Sequence, residues 1–158
     1  MTLDLTTWQL KQQGDRIQDW IPAQVPGSVQ QTLLEASLIP EPFYGLNEKE
    51  VQWVGESDWL YRTTFQVTQE MLEQPHLDLC FDGLDTFARA SLNGEKVLEN
   101  QNMFVPHRIN IKDLAKLGDN ELVIHFQSAQ RRGKELEAAR GKRPCWNGDN
   151  SRLYVRKA

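Results

Sequence analysis

The sequence predicts an all-β protein, an antiparallel β-sandwich of the jelly-roll type. Several short segments place an apolar residue at every second position, which is the period of a half-buried strand. Polar turn residues separate these segments, and Asn93-Gly94 is the clearest hairpin signal among them. Few segments have the composition of helices, so we expect about eight strands in two sheets with a few short helices.

The N-terminal part begins with an opening strand, predicted at residues 3–11 from a loose alternation. Residues 21–27 contain two prolines, which exclude a helix there. Ser28 is followed three residues later by Gln31, the spacing of a capping box. A short helix is therefore predicted after Ser28, ending before Pro40.

The stretch from residue 41 to residue 67 is the most informative part of the chain. Its second half, from Trp59, alternates and is predicted to be a strand. Its first half is predicted to be a short irregular loop that contains Phe43, Tyr44, Asn47 and Trp53. Aromatic faces beside an amide suit a sugar, which offers C–H faces to stack and hydroxyls to hydrogen-bond. The alternative is that these rings cover one end of the sandwich.

The rest of the chain continues as strands and turns. The Asn93-Gly94 turn is of type I′, which needs positive φ at both residues. One helical turn is predicted at 112–117, closed by Gly118, and a longer helix at 130–140. Further strands are predicted at residues 76–82, 86–92, 95–99, 109–111, 121–127 and 153–157.

Composition excludes several classes of protein. The 158 residues are enough for one domain with a real core. A net charge of −4 argues against nucleic acid or an anionic membrane as a partner. No apolar run approaches a membrane span, and the N-terminus lacks the features of a signal peptide, so we expect a cytoplasmic protein. Cys80 and Cys145 make neither a disulfide scaffold nor a zinc site.

No residue pattern indicates catalysis, a metal or a cofactor. Glycosidases need two carboxyl groups about 5 Å apart or wider, and no spacing pairs the carboxylates here. Asp82 and Asp85 flank a turn, where they favour bonds to backbone amides. The three histidines are far apart in sequence. Trp146 lies beside polar groups in a late loop and either stacks on a sugar or anchors that loop to the core.

A set of short motifs in a fixed order resembles the N-terminal sugar-binding domain of family 2 glycoside hydrolases, a galactose-binding-domain-like jelly roll. Two further motifs, at residues 102–108 and 151–157, are similar to the β-mannosidase branch of that family. The resemblance covers nearly the whole chain. The motifs common to the family lie at residues 22–28, 42–48, 59–62, 81–88 and 92–94.

The resemblance implies a multidomain hydrolase that removes terminal β-linked mannose with retention. In that family an immunoglobulin-like domain and a (β/α)-barrel follow the jelly roll, and both catalytic glutamates lie in the barrel. We therefore expect residues 1–158 to be a single non-catalytic domain that packs on the barrel and contributes to the active-site rim, with the later domains absent from this chain. Its expected partners are a β-mannoside or mannose-containing oligosaccharide and the remaining domains of the parent enzyme.

The resemblance also implies a place where the domain reaches the substrate. A loop of the first domain carries an asparagine to the rim of the active site in related proteins. Asn47 is the expected contact here, with Tyr44 as its support, and Trp146 is a third candidate. Two other roles remain open, a free-standing carbohydrate-binding module and a structural domain with an apolar docking patch, for which we expect self-association.

Overall fold

The computed structural model describes residues 2–144 and 154–155, which form eight strands and five helices. None of the described helices combines the length and hydropathy needed to cross a bilayer. The strands are β1 (Trp8–Gln12), β2 (Ile21–Ala23), β3 (Trp59–Val67), β4 (Asp78–Phe81), β5 (Ala88–Leu92), β6 (Glu95–Asn100), β7 (His107–Asn110) and β8 (Gly118–Phe126). The helices are α1 (Val29–Glu35), α2 (Asn47–Glu50), α3 (Gln52–Glu56), α4 (Gln69–Glu73) and α5 (Ala129–Arg140).

The described strands form two antiparallel sheets, which confirms the predicted fold class. One sheet has six strands in the order β2-β1-β3-β8-β5-β6, and the other pairs β4 with β7. Strand β3 lies in the middle of the larger sheet and pairs with β1 on one side and β8 on the other. The alternation predicted for β3 is observed, since Trp59, Tyr61 and Thr63 are buried and Leu60 and Arg62 are half-buried.

The core lies between the sheets because alternate side chains of each strand point to the same face. Leu10 of β1, Leu92 of β5 and Leu122 of β8 are almost fully buried. Leu79 and Phe81 of β4 close the core from the smaller sheet. This arrangement confirms the predicted alternation at residues 76–82, in which Cys80 is exposed.

Local signals of the sequence are confirmed at two turns. Ser28 caps α1, with its Oγ accepting a hydrogen bond from the Gln31 amide at 3.1 Å. Asn93 and Gly94 have φ angles of 53° and 89°, as the type I′ hairpin between β5 and β6 requires. A cap of the same kind begins α5, where the Ser128 hydroxyl accepts from the Arg131 amide.

Some predictions differ from the structure, and one falls largely outside the described residues. Residues 47–56 form α2 and α3 rather than an irregular loop, because local backbone bonds such as Val51 N to Asn47 O close helical turns there. Strand β1 begins only at Trp8, and Ile21–Ala23 adds the short edge strand β2. The strand predicted at 153–157 lies outside the described residues apart from Tyr154 and Val155.

Asn120 organises the end of β8 and is 1% exposed. Its Oδ1 accepts from Asn93 Nδ2 at 2.9 Å and from the Lys116 amide at 2.8 Å. Its Nδ2 donates to the carbonyls of Lys116 and Gly118 at 2.7 and 3.0 Å. One side chain therefore joins the β5–β6 hairpin to the turn that precedes β8.

Replacing Asn120 with alanine is expected to lower the free energy of unfolding by about 2–3 kcal/mol, since it leaves buried polar groups without partners. Urea denaturation measures the change. Asn110→Ala is the control, because Asn110 is exposed and caps the Lys112 amide, so its loss is expected to cost below about 1 kcal/mol. Equal effects for the two variants would contradict the role assigned to Asn120.

Candidate functional site

The candidate site is the tip formed by residues 41–50, which connects α1 to α3 and includes Asn47 and Tyr44. Phe43, Tyr44 and Leu46 are 97%, 77% and 67% exposed at this tip. Gly45 lies between them with a φ of 61°, a left-handed conformation that side chains disfavour. The tip therefore presents aromatic and aliphatic groups to solvent rather than to the core.

Hydrogen bonds within the tip hold its shape. The Glu41 carbonyl accepts from Asn47 Nδ2 at 2.9 Å and from the Tyr44 amide at 3.2 Å. The Asn47 amide donates to the Tyr44 carbonyl at 3.2 Å. The Glu41 carboxylate accepts from the Phe43 amide at 3.3 Å. Asn47 thus closes the loop through its own side chain, a role that its position in the first turn of α2 allows but the sequence did not reveal.

The structure brings together two of the three predicted site residues. Asn47 and Tyr44 share the tip, while Trp146 lies outside the described residues. The side-chain nitrogen Nδ2 of Asn47 donates to the Glu41 carbonyl, and no described residue hydrogen-bonds to its Oδ1. That oxygen can accept a hydrogen bond from a ligand hydroxyl.

Trp53 behaves differently from the rings at the tip. It is half-buried and its ring lies 6.0 Å from the ring of Trp59. The Arg16 guanidinium lies over the Trp53 ring at 4.8 Å from its centre. Trp53 therefore covers the end of the sandwich, while Phe43 and Tyr44 do not.

The described carboxylates and histidines do not form a metal site, since no group of three potential ligands occurs among them. Glu48 and Glu50 are exposed on α2. His76 is exposed, whereas His107 is half-buried and lies 2.9 Å from Asn100 Oδ1. Asn100 in turn donates to the Leu84 and Thr86 carbonyls, so it holds the turn that contains Asp85.

Asp58 forms a polar cluster that the sequence analysis missed. It precedes β3, and its Oδ1 accepts from the Ser128 amide at 2.6 Å. Arg131 Nη2 lies 2.6 Å from both carboxylate oxygens, and His125 Nε2 lies 3.4 Å from Oδ2. Ser128 also donates from its hydroxyl to the Gly55 carbonyl at 2.7 Å. The cluster fastens α5 to α3 and to the start of β3.

The pKa of Asp58 is lowered by these contacts. Burial raises the pKa, but the hydrogen bonds from Arg131 and the Ser128 amide, with the positive charge of Arg131 and the influence of His125, outweigh it. A carboxyl held ionised by arginine is the opposite of what a general acid needs. No sequence signal could have revealed the cluster, because Asp58 and Arg131 are separated by 73 positions.

A groove of about 1470 Å³ opens between the two sheets. Trp59, Tyr61 and Phe65 line it from the larger sheet, and Leu79 and Phe81 line it from the smaller one. Burial raises the pKa of Tyr61 to about 12, so its hydroxyl stays neutral beside the groove.

Comparison with known proteins places this geometry in a family. Residues 8–158 match the model of the glycosyl hydrolase 2 galactose-binding domain-like family. A relative called beta-mannosidase B from Thermothelomyces thermophilus is 46% identical over 96% of this chain and 18% of its own length. One of the same name from Aspergillus clavatus is 42% identical over 96% of this chain and 18% of its own length.

Solved structures agree. The crystal structure of a β-D-mannosidase from Dictyoglomus thermophilum superposes with a TM-score of 0.90 at 40% identity, covering 98% of this chain and 19% of that one. A β-glucuronidase from an uncultured Clostridium species superposes with a TM-score of 0.58 at 18% identity, over 78% of this chain and 21% of that one. The second match shows the fold alone. The chain thus spans about a fifth of the length of the proteins it matches.

The Asp58 cluster predicts a pH dependence of stability. Because the pKa of Asp58 is lower in the folded state, its ionised form stabilises the fold above the ordinary value of 3.8. This contribution is lost as the pH falls through the folded-state pKa. At pH 7 we expect Asp58→Asn to lower the free energy of unfolding by about 1–3 kcal/mol, and the difference from the wild type to shrink below pH ~4.

Urea denaturation across this pH range measures the effect. Asp78→Asn is the control, because Asp78 pairs with Arg108, whose side chain is 76% exposed, so solvent screens the pair. Its expected cost at pH 7 is about 0–1 kcal/mol. A difference between wild type and Asp58→Asn that stays constant down to pH 2 would contradict the assignment.

Proposed function

Because the chain belongs to the galactose-binding-like domains of the family 2 glycosyl hydrolases, we propose that it is the non-catalytic N-terminal domain of a β-mannosidase. The observation that carries the proposal is the match to β-mannosidases over nearly the whole chain at 40–46% identity. The same match covers about a fifth of those proteins. Hydrolysis is therefore proposed for a longer polypeptide, with this domain as one part of it.

The chemistry of the described residues supports a non-catalytic role. Retaining hydrolysis of a glycoside needs a nucleophilic carboxylate and a second carboxyl that is protonated at the start of the reaction. Asp58, the described carboxyl with a shifted pKa, is shifted downward and bound to Arg131. We propose that residues 1–158 form one domain and that the two catalytic carboxyls belong to other domains.

The domain is proposed to contribute to the rim of the active site through its tip. Asn47 offers its Oδ1 as an acceptor for a hydroxyl of a β-mannoside or mannose-containing oligosaccharide. Tyr44, two-thirds or more exposed, supports the same edge with a ring and a phenol hydroxyl. Trp146 remains a third proposed contact from the sequence.

A free-standing carbohydrate-binding module is the second candidate. The exposure of Phe43 and Tyr44 favours it, since a module needs an accessible aromatic platform. The packing of Trp53 against Trp59 and Arg16 removes one ring from such a platform. Calorimetric titration of the 158-residue chain with mannose and a β-linked mannobiose discriminates the two, because a module binds these sugars without any other domain.

The rim assignment predicts the effect of Asn47→Ala in the polypeptide from the native source. We expect kcat/KM for an aryl β-mannoside to fall about tenfold, which corresponds to one lost hydrogen bond to the transition state of roughly 1.4 kcal/mol. Asn102→Ala is the matched control, because Asn102 also caps a loop amide, that of Phe104, and is expected to leave kcat/KM unchanged. The isolated chain is expected to show no hydrolysis.

Two results would contradict this proposal. One is turnover of the aryl β-mannoside by the pure 158-residue chain that Asn47→Ala does not change. The other is an equal loss of activity for the two asparagine variants, since that outcome would assign the effect to loop stability rather than to substrate.

A further inference from the structure

The three most exposed large hydrophobic side chains of the described residues belong to four consecutive positions. They are Phe43, Tyr44 and Leu46, at 97%, 77% and 67% exposure. The next most exposed large hydrophobic residue, Leu117, is 63% exposed and lies elsewhere in the chain. Single exposed apolar residues are normal on a soluble protein, but a contiguous group marks a surface that contacts something else. Phe43 is almost wholly exposed to solvent, so its ring adds almost no buried contact to the described part of the fold.

The group is held in one shape before any contact is made. Asn47 and Tyr44 both donate to the Glu41 carbonyl, and the Glu41 carboxylate accepts from the Phe43 amide. A loop already fixed in its bound shape loses little conformational entropy on binding. The helix α3 that follows the tip is also fixed, because the Trp59 indole donates to the Val54 carbonyl of α3 at 3.0 Å.

The composition of the tip matches a protein partner better than a sugar. Phe43 and Leu46 have no polar side-chain atom, and sugar hydroxyls need donors and acceptors beside the stacking face. Protein interfaces, by contrast, bury aromatic and aliphatic anchors at the centre and keep charges at the rim. The charged residues of the tip, Glu41, Glu48, Lys49 and Glu50, are all exposed.

Charge indicates the nature of the partner's surface. Three carboxylates against the single ammonium of Lys49 give residues 41–50 a formal net charge of −2. The complementary surface is an apolar pocket with lysine or arginine at its rim. About four-fifths of the length of the matched relatives lies outside the region that this chain matches, so such a surface has room to exist within one polypeptide.

We propose that Phe43 and Leu46 form a docking anchor that inserts into an apolar pocket with a basic rim on the remainder of a β-mannosidase polypeptide. This inference rests on the proposed function, and it assigns the tip a second role beside that of Asn47. Phe43 and Leu46 contact protein, and Tyr44 and Asn47 contact the substrate edge. Docking therefore sets the position from which Asn47 reaches the substrate.

Hydrogen exchange tests the anchor on two forms of the protein, the polypeptide purified from its native source and the 158-residue chain by itself. The peptide covering residues 41–50 contains the hydrogen-bonded amides of Tyr44, Asn47 and Lys49. We expect it to exchange at least about tenfold more slowly in the native-source protein, since docking suppresses local opening. The loop at residues 101–106, where Phe104 is 62% exposed, is the internal control and is expected to be unchanged.

Matched variants separate docking from folding. Phe43→Ser is expected to leave the melting temperature of the 158-residue chain unchanged, because the ring is 97% exposed. In the native-source protein the same change is expected to raise exchange of residues 41–50 to the rate of the isolated chain. Phe104→Ser, the same substitution at another exposed loop, is expected to leave that peptide protected.

The outcomes distinguish failure of the anchor from failure of the proposed function. A native-source protein larger than 18.3 kDa with equal exchange of residues 41–50 in both forms overturns the anchor alone. A native-source protein of 18.3 kDa overturns the proposed function and removes the docking partner with it. Protection of residues 41–50 in the isolated chain on addition of a β-linked mannobiose also overturns the anchor and assigns the tip to sugar.

Discussion

The pairing of β3 with two neighbours is the interaction on which the rest of the structure depends. Its nine residues join β1 on one edge and β8 on the other, so both its backbone edges are satisfied. Its alternate side chains contribute Trp59, Tyr61 and Thr63 to the core. Asp58 lies directly before it and fastens α5 through Ser128 and Arg131. The same strand therefore aligns the sheet, the core and the only long helix described.

The candidate site gains its rigidity from this scaffold. Helix α3 precedes β3, and the tilted ring contact between Trp53 and Trp59 holds α3 to the strand. The tip at residues 41–50 extends from α3, so its side chains are presented from a fixed base. A site on a loop is accurate only when the loop is supported, and here the support comes from local hydrogen bonds and one aromatic contact.

The comparisons show how far a fold informs function. The fold is shared with a β-mannosidase at 40% identity and with a β-glucuronidase at 18% identity, proteins whose names give different sugars. A scaffold that serves both cannot by itself select the sugar, since selectivity depends on particular side chains at the site.

The sequence alone determined the all-β class, every described strand except β2, the Asn93-Gly94 hairpin and the cap at Ser28, because alternation and turn chemistry act between near neighbours. The family resemblance that the comparisons confirm also came from motifs readable in order. Only the tertiary structure separated Trp53, which is covered by Trp59 and Arg16, from Phe43, which is in water. It alone joined Asp58 to Arg131, since contacts between residues 73 positions apart depend on how the chain folds back and leave no local pattern.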